Sequence, residues 1–173
     1  MASFRRHRAA GDASSPLLLG IVALVVGLDQ VSKSWAQSRL AGGSQIEVLG
    51  PIKLRLEYNS GFAFSLGSGH PAIIGFFAVV AVVMLVLFAR RVKQLPMLVG
   101  IALIAGGALG NVVDRIFRHN GGAVIDFIYS GFWPTFNLAD SAVVAGVALI
   151  FLNGLFGRSK HSLSEASRDG KEL

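Results

Sequence analysis

Two carboxylates of this chain stand in surroundings that disfavour charge. Asp140 lies near the start of "FNLADSAVVAGVALIFLNGLF", a run otherwise apolar enough for a bilayer, and Asp126 sits among Val124, Ile125, Phe127 and Ile128. At the centre of a bilayer helix a carboxylate costs about 2.5–3.5 kcal/mol on insertion scales, and less toward the interface. Two acids at one interface, each in apolar surroundings, can share a proton and have their affinities for it driven apart. An aspartic hydrolase needs that arrangement: one carboxylate activates water while its protonated partner polarises the scissile carbonyl, with no covalent intermediate. A plainer role is also open to Asp140. Asn137 can cap the helix, and an acid three residues later sits well against the positive end of the helix dipole.

Other chemistries find less support. The 173 residues include no Cys, so disulfides, thiol nucleophiles and cysteine-ligated zinc are excluded. HExxH and GxxxxGK[ST] are absent, so neither a zinc protease nor a phosphate-binding loop is indicated, and no metal or other cofactor is expected. "GSGH" brings Ser68 near His70, but no third group orients the imidazole. The net charge of +6 could suggest nucleic acid, yet no soluble module with a basic, aromatic-bearing face is visible, so no nucleic-acid partner is expected.

The elements that must position the two acids are membrane spans. Hydrophobic residues make up 53% of the chain and charged residues 15%, with a mean hydropathy of +0.60. Soluble domains carry about 25% charged residues, so lipid is the expected solvent. Four stretches are long enough for a hydrocarbon core of about 30 Å: residues 15–35, 71–89, 95–113 and 138–157. The first also fits a cleaved signal peptide, which would leave three spans; against that, no small-residue cleavage site follows directly and the helical pattern continues through Asp29 and Lys33.

Basic residues set the direction. Arg5, Arg6 and Arg8 precede the first span, Arg90, Arg91 and Lys93 link the second and third, and Arg158, Lys160, Arg168 and Lys171 follow the fourth. With four spans these residues all lie on one side, and the excess of Lys and Arg in cytoplasmic segments makes both termini cytoplasmic. The expected organisation is a cytoplasmic arm at 1–14, a four-span unit at 15–157 with outer loops 36–70 and 114–137, and a polar, mobile tail at 158–173.

With that topology the scattered polar residues meet at one depth. Asp29 and Lys33 end the first span, Asn111, Asp114 and Arg115 end the third, Asn137 and Asp140 begin the fourth, and the outer loops carry Asn59 and Asp126. Asp29 and Lys33 form an i,i+4 pair in the favourable order, and a salt bridge is their simplest reading. Asp114 can pair with Arg115 or Lys33, and Arg115 can donate to a backbone carbonyl. The glycines of "AGGALGN" permit close helix contact. "IKLRLEY" alternates, with Ile52, Leu54, Leu56 and Tyr58 on one face, and "AVIDFIY" can be extended with Asp126 on the face of Val124 and Ile128. A small sheet on the membrane surface follows, and its edge could hold an extended peptide. "NSGFAFSLGSG" reads as a bending loop.

Five stretches in this order, "DQVSK", "NSGFAF", "GGALGNVVDR", "VIDF" and "FNLAD", resemble the bacterial lipoprotein signal peptidases, or signal peptidase II, a family of membrane aspartic proteases. The resemblance spans roughly Leu17 to Gly157. It implies an all-α membrane protein of four transmembrane helices with a small β-sheet, or cradle, on the extracytoplasmic side of the bacterial plasma (inner) membrane, and a monomer. Asp126 and Asp140 would be the catalytic dyad, with Asp29, Lys33, Asn59, Gly61, Asn111, Asp114, Arg115 and Asn137 shaping the site. The implied partners are membrane lipids and diacylglyceryl-modified prolipoproteins, cut on the N-terminal side of the lipid-bearing cysteine. The segment between the two aspartates, "FIYSGFWPTFNLA", is shorter than in some relatives, which bears on the rim of the site more than on its chemistry.

Overall fold

The computed structural model describes residues 14–61 and 71–169. Its elements run α1 (Ser14–Leu40), β1 (Gln45–Leu49), β2 (Ile52–Asn59), α2 (Pro71–Ala89), α3 (Leu95–Phe117), β3 (Val124–Tyr129) and α4 (Leu138–Asp169). Among the described residues three helices are long and apolar enough to cross a membrane, at Ser15–Gly43, Leu95–Phe117 and Leu138–Phe156, and Ile73–Ala89 is a shorter apolar helix. The glycine- and serine-rich bending loop falls largely outside the described residues, as does most of the N-terminal arm.

Three boundaries differ from the sequence expectation for one reason: a helix propagates through its backbone hydrogen bonds until something stops it, whether or not its surface stays apolar. α1 passes the expected end at residue 35 and reaches Leu40 before a short 3-10 turn in which Gly42 takes φ 76°, a left-handed conformation that glycine adopts without strain. α3 begins with Pro96 in its first turn and carries on through Asp114 and Arg115 to Phe117. α4 continues to Asp169, through the stretch expected to be a mobile polar tail; Ser, Lys, Glu, Ala and Arg there are all compatible with a helix.

α3 is the central helix, packing against α1, α2 and α4. Its glycines set how close the neighbours come. A Cβ on Gly107 would run into the Ala139 carbonyl and lie 2.8 Å from a Val143 methyl, and one on Gly110 would lie 2.7 Å from Asp29 Oδ2. Such contacts leave no room for even a methyl group, so the small residues let α1 and α4 reach the end of α3 where the polar residues gather.

The three strands form one antiparallel sheet in the order β1-β2-β3. The strand β1 was not foreseen, and the strict alternation read for β2 is broken by a bulge. Leu54 pairs with Ile128 and Glu57 with Asp126, so Arg55 and Leu56 together oppose Phe127. The extra residue changes which side chains share a face. Beyond it Glu57 and Asn59, rather than Leu56 and Tyr58, lie on the face of Asp126 and Val124. Buried Ala36 and Leu40 of α1 and Phe127 of β3, with Leu54, Leu56 and Ile128 packed against them, seat the sheet on the end of α1.

Candidate active site

Asn137 and Asp140 organise the start of α4. The Asn137 side-chain oxygen accepts from the Asp140 N–H at 2.9 Å, while Asp140 Oδ2 accepts from the Asn137 N–H at 3.2 Å. This reciprocal pair satisfies two otherwise orphaned donors, so the capping role is real. It leaves capacity over on both residues. Asn137 Nδ2 donates to Asp126 Oδ1 at 2.7 Å and to the Ile125 carbonyl at 3.2 Å, and Asp140 Oδ1 accepts from Asn111 Nδ2 at 2.9 Å. One side chain therefore touches both acids, and the cap that starts α4 also faces the end of β3.

Asp126 is 2% exposed, whereas Asp140 is half-buried. Asn59, brought to this face by the bulge, donates to Asp126 Oδ2 at 3.1 Å. Burial pushes the Asp126 carboxyl up to about 7, and the negative charge of Asp140 adds to the rise. The hydrogen bonds from Asn59 and Asn137 and the charge of Lys33 oppose it without cancelling it. The two carboxyls are thus distinct in environment, one enclosed and one partly open.

Beneath them lies a buried ionic cluster. Lys33, Asp29 and Asp114 are each fully buried. Lys33 Nζ meets Asp29 Oδ2 at 2.8 Å, Asp114 Oδ2 at 2.9 Å and Asn111 Oδ1 at 2.9 Å, which occupies all three ammonium donors. Asp29 Oδ1 accepts the Ala139 N–H at 3.0 Å, satisfying a further orphan donor of α4. Asp114 Oδ2 accepts the Ile125 N–H at 3.0 Å, on the residue next to Asp126. Every ion in this cluster also holds a piece of backbone or a site amide.

The ten residues singled out from the sequence are all brought together. Arg115 donates to the Gly61 carbonyl at 2.8 Å and the Asn111 carbonyl at 3.2 Å, and the Gly61 N–H in turn donates to Asn59 Oδ1 at 3.0 Å. Of the two partners expected for Asp114, Lys33 is realised and Arg115 is not. Asp114 pairs with Lys33 and with Arg118, whose Nε lies 3.1 Å from Asp114 Oδ1. Adjacent residues on a helix point about 100° apart, while residues four apart share a face. That spacing was the available signal for Arg118. Gln30, also missed, donates to Asp114 Oδ1 at 2.8 Å from within the quoted "DQVSK".

Known proteins share this architecture. A family model described as Signal peptidase (SPase) II matches residues 21–156. The chain is 39% identical to the lipoprotein signal peptidase of Mycolicibacterium smegmatis over 161 residues, covering 86% of this chain and 68% of that one. It is 34% identical to the lipoprotein signal peptidase of Mycobacterium tuberculosis over 172 residues, covering 93% and 85%. A solved structure of a bacterial membrane enzyme at 2.3 Å superposes with a TM-score of 0.75 at 31% identity, covering 84% of this chain and 91% of that one. With matches over most of its length in sequence and in fold, the chain belongs to the signal peptidase II family and is a multi-pass membrane protease of bacterial lipoprotein processing.

Proposed function

We propose that the protein removes the signal peptide from diacylglyceryl-modified prolipoproteins, cutting on the N-terminal side of the lipid-bearing cysteine by water activation between Asp126 and Asp140. The observation that carries this reading is the pair of acids, one on β3 and one on α4, joined through Asn137, with Asp126 held near pH 7 by burial and by the charge of Asp140. With its carboxyl pushed up to about 7, Asp126 is available in the protonated form near neutral pH. Asp140, the more open acid, takes a proton from water as the water oxygen attacks the scissile carbonyl carbon. Protonated Asp126 donates to the carbonyl oxygen as it gains negative charge. When the tetrahedral species collapses, the C–N bond breaks, Asp140 gives its proton to the leaving amine, and the hydroxyl proton of the new carboxyl returns to Asp126.

The remaining residues act by holding this geometry. Asn59, Asn111 and Asn137 orient the carboxylates, and Lys33, Asp29 and Asp114 fix the ends of α1, α3 and α4. Arg115 and Gly61 hold the chain beyond β2. A lipid-modified substrate confined to the bilayer presents its scissile bond near the surface, which agrees with acids at the ends of helices rather than at mid-depth. In this reading α2 is a fourth span, both termini are cytoplasmic, and the monomer works in the plasma membrane with its site on the extracytoplasmic face. Membrane lipids surround it, and neither cofactor nor nucleic acid takes part.

The test is to incubate the purified protein with a prolipoprotein before and after diacylglyceryl transfer and to map the products by mass spectrometry. The lipidated form alone should be cut, leaving the modified cysteine as the new N-terminus. Cleavage elsewhere, or equal cleavage of the unmodified form, contradicts the proposal.

A further inference from the structure

Arg118 lies outside the motifs that carry the family resemblance, yet its guanidinium joins α1 to α3. Its side chain is 14% exposed. NH2 donates to the Gln30 carbonyl at 2.9 Å, to Gln30 Oε1 at 3.0 Å and to Ser34 Oγ at 3.1 Å, while NH1 donates to Gln37 Oε1 at 2.7 Å. The fork therefore grips two turns of α1 from the C-cap of α3. Two branches run from it toward the sheet. Through Nε it pairs with Asp114, whose other oxygen holds the Ile125 N–H next to Asp126. Through Gln37 it reaches the Tyr58 hydroxyl, 3.4 Å from Gln37 Nε2, on the residue next to Asn59. Asn59 and Asp126 are hydrogen-bonded to each other.

We propose that Arg118 is a positioning residue for the reaction: its guanidinium fork sets β2 and β3 over the ends of α1 and α3, so that Asp126 faces the start of α4. The inference rests on the dyad reading above. The acids themselves take their hydrogen bonds from Asn59, Asn111 and Asn137, so Arg118 acts at one remove, through Asp114 and Gln37. A planar fork with five N–H donors can serve α1 and Asp114 together, whereas an ammonium can keep the charge opposite Asp114 and lose the grip on α1. The charges also balance, since Lys33 and Arg118 stand against Asp29 and Asp114.

The experiment compares wild type, Arg118→Lys, Gln37→Met and Asp126→Asn on lipidated prolipoprotein, with kcat, KM and thermal melting measured for each. Arg118→Lys should melt with the wild type and lose roughly 10- to 100-fold in kcat with KM within about twofold, because small misplacement of a reacting group slows chemistry without weakening binding. Gln37→Met, which cuts only the branch to Tyr58, should lose less in the same sense. If Arg118→Lys is poorly folded, Gln37→Met still reads the effect. Wild-type kcat in the folded variants, or a loss that matches only the fraction of unfolded protein and vanishes on cooling, overturns the positioning role. Retained turnover in Asp126→Asn would instead overturn the dyad, so the two failures are told apart.

Discussion

The two acids differ in what surrounds them, and that difference sets the pH dependence. Asp126 is enclosed and its carboxyl is pushed up to about 7, first by burial and then by the negative charge of Asp140. In the proposed mechanism its protonated form donates to the scissile carbonyl. Raising the pH through about 7 removes that proton from the free enzyme, so kcat/KM should fall on the alkaline side with a midpoint near 7. A midpoint above 9 in the kcat/KM profile would assign the donor to another group. The aspartates and most of their partners were legible in the sequence, because carboxylates, amides and a lysine at the ends of apolar runs need a reason to be there. Arg118 and Gln30 were not: Arg118 stands beyond the apolar stretch of α3, where a polar residue needs no reason, Gln30 is the uncharged neighbour of Asp29, and only the contact between α1 and α3 gives them partners.

Helix ends bring the chemistry together, and close approach between helices makes this possible. The Ala139 carbonyl occupies the space that a Gly107 side chain would need, and the Ala139 N–H is held by Asp29. Gly107→Ala should therefore push α4 from α3, destabilise the protein by about 1–3 kcal/mol and lower turnover, as judged by melting and cleavage together. Unchanged melting would show that α4 is not held as closely as described. The apolar runs announced the helices well, and α2 begins and ends where its run does. The bulge in β2 could not be read, because alternation of residue types does not reveal where two residues oppose one. Its consequence is large, since it turns Asn59 rather than Tyr58 toward Asp126. The strand β1, exposed along its whole length, lacks the half-buried pattern by which strands are recognised.

On the scale of the whole molecule, α3 carries the candidate site toward one end and follows the basic link at the other. Its 23 residues span about 34 Å, close to the hydrocarbon thickness of about 30 Å, with the basic Arg90, Arg91 and Lys93 before it and the acids beside its last turns. The native chain has no Cys, so single cysteines report topology cleanly. Leu49→Cys, on the exposed β1, should react with a membrane-impermeant maleimide added outside intact cells, whereas Arg91→Cys should react only after permeabilisation. The reverse pattern would invert the proposed orientation. The central claim is that two carboxylates share the work, and turnover of lipidated prolipoprotein by Asp126→Asn and Asp140→Asn tests it most directly. Each variant should remain folded in the membrane and fall below about a thousandth of the wild-type rate, as expected when a reacting group is removed. Full turnover in either folded variant would contradict the account.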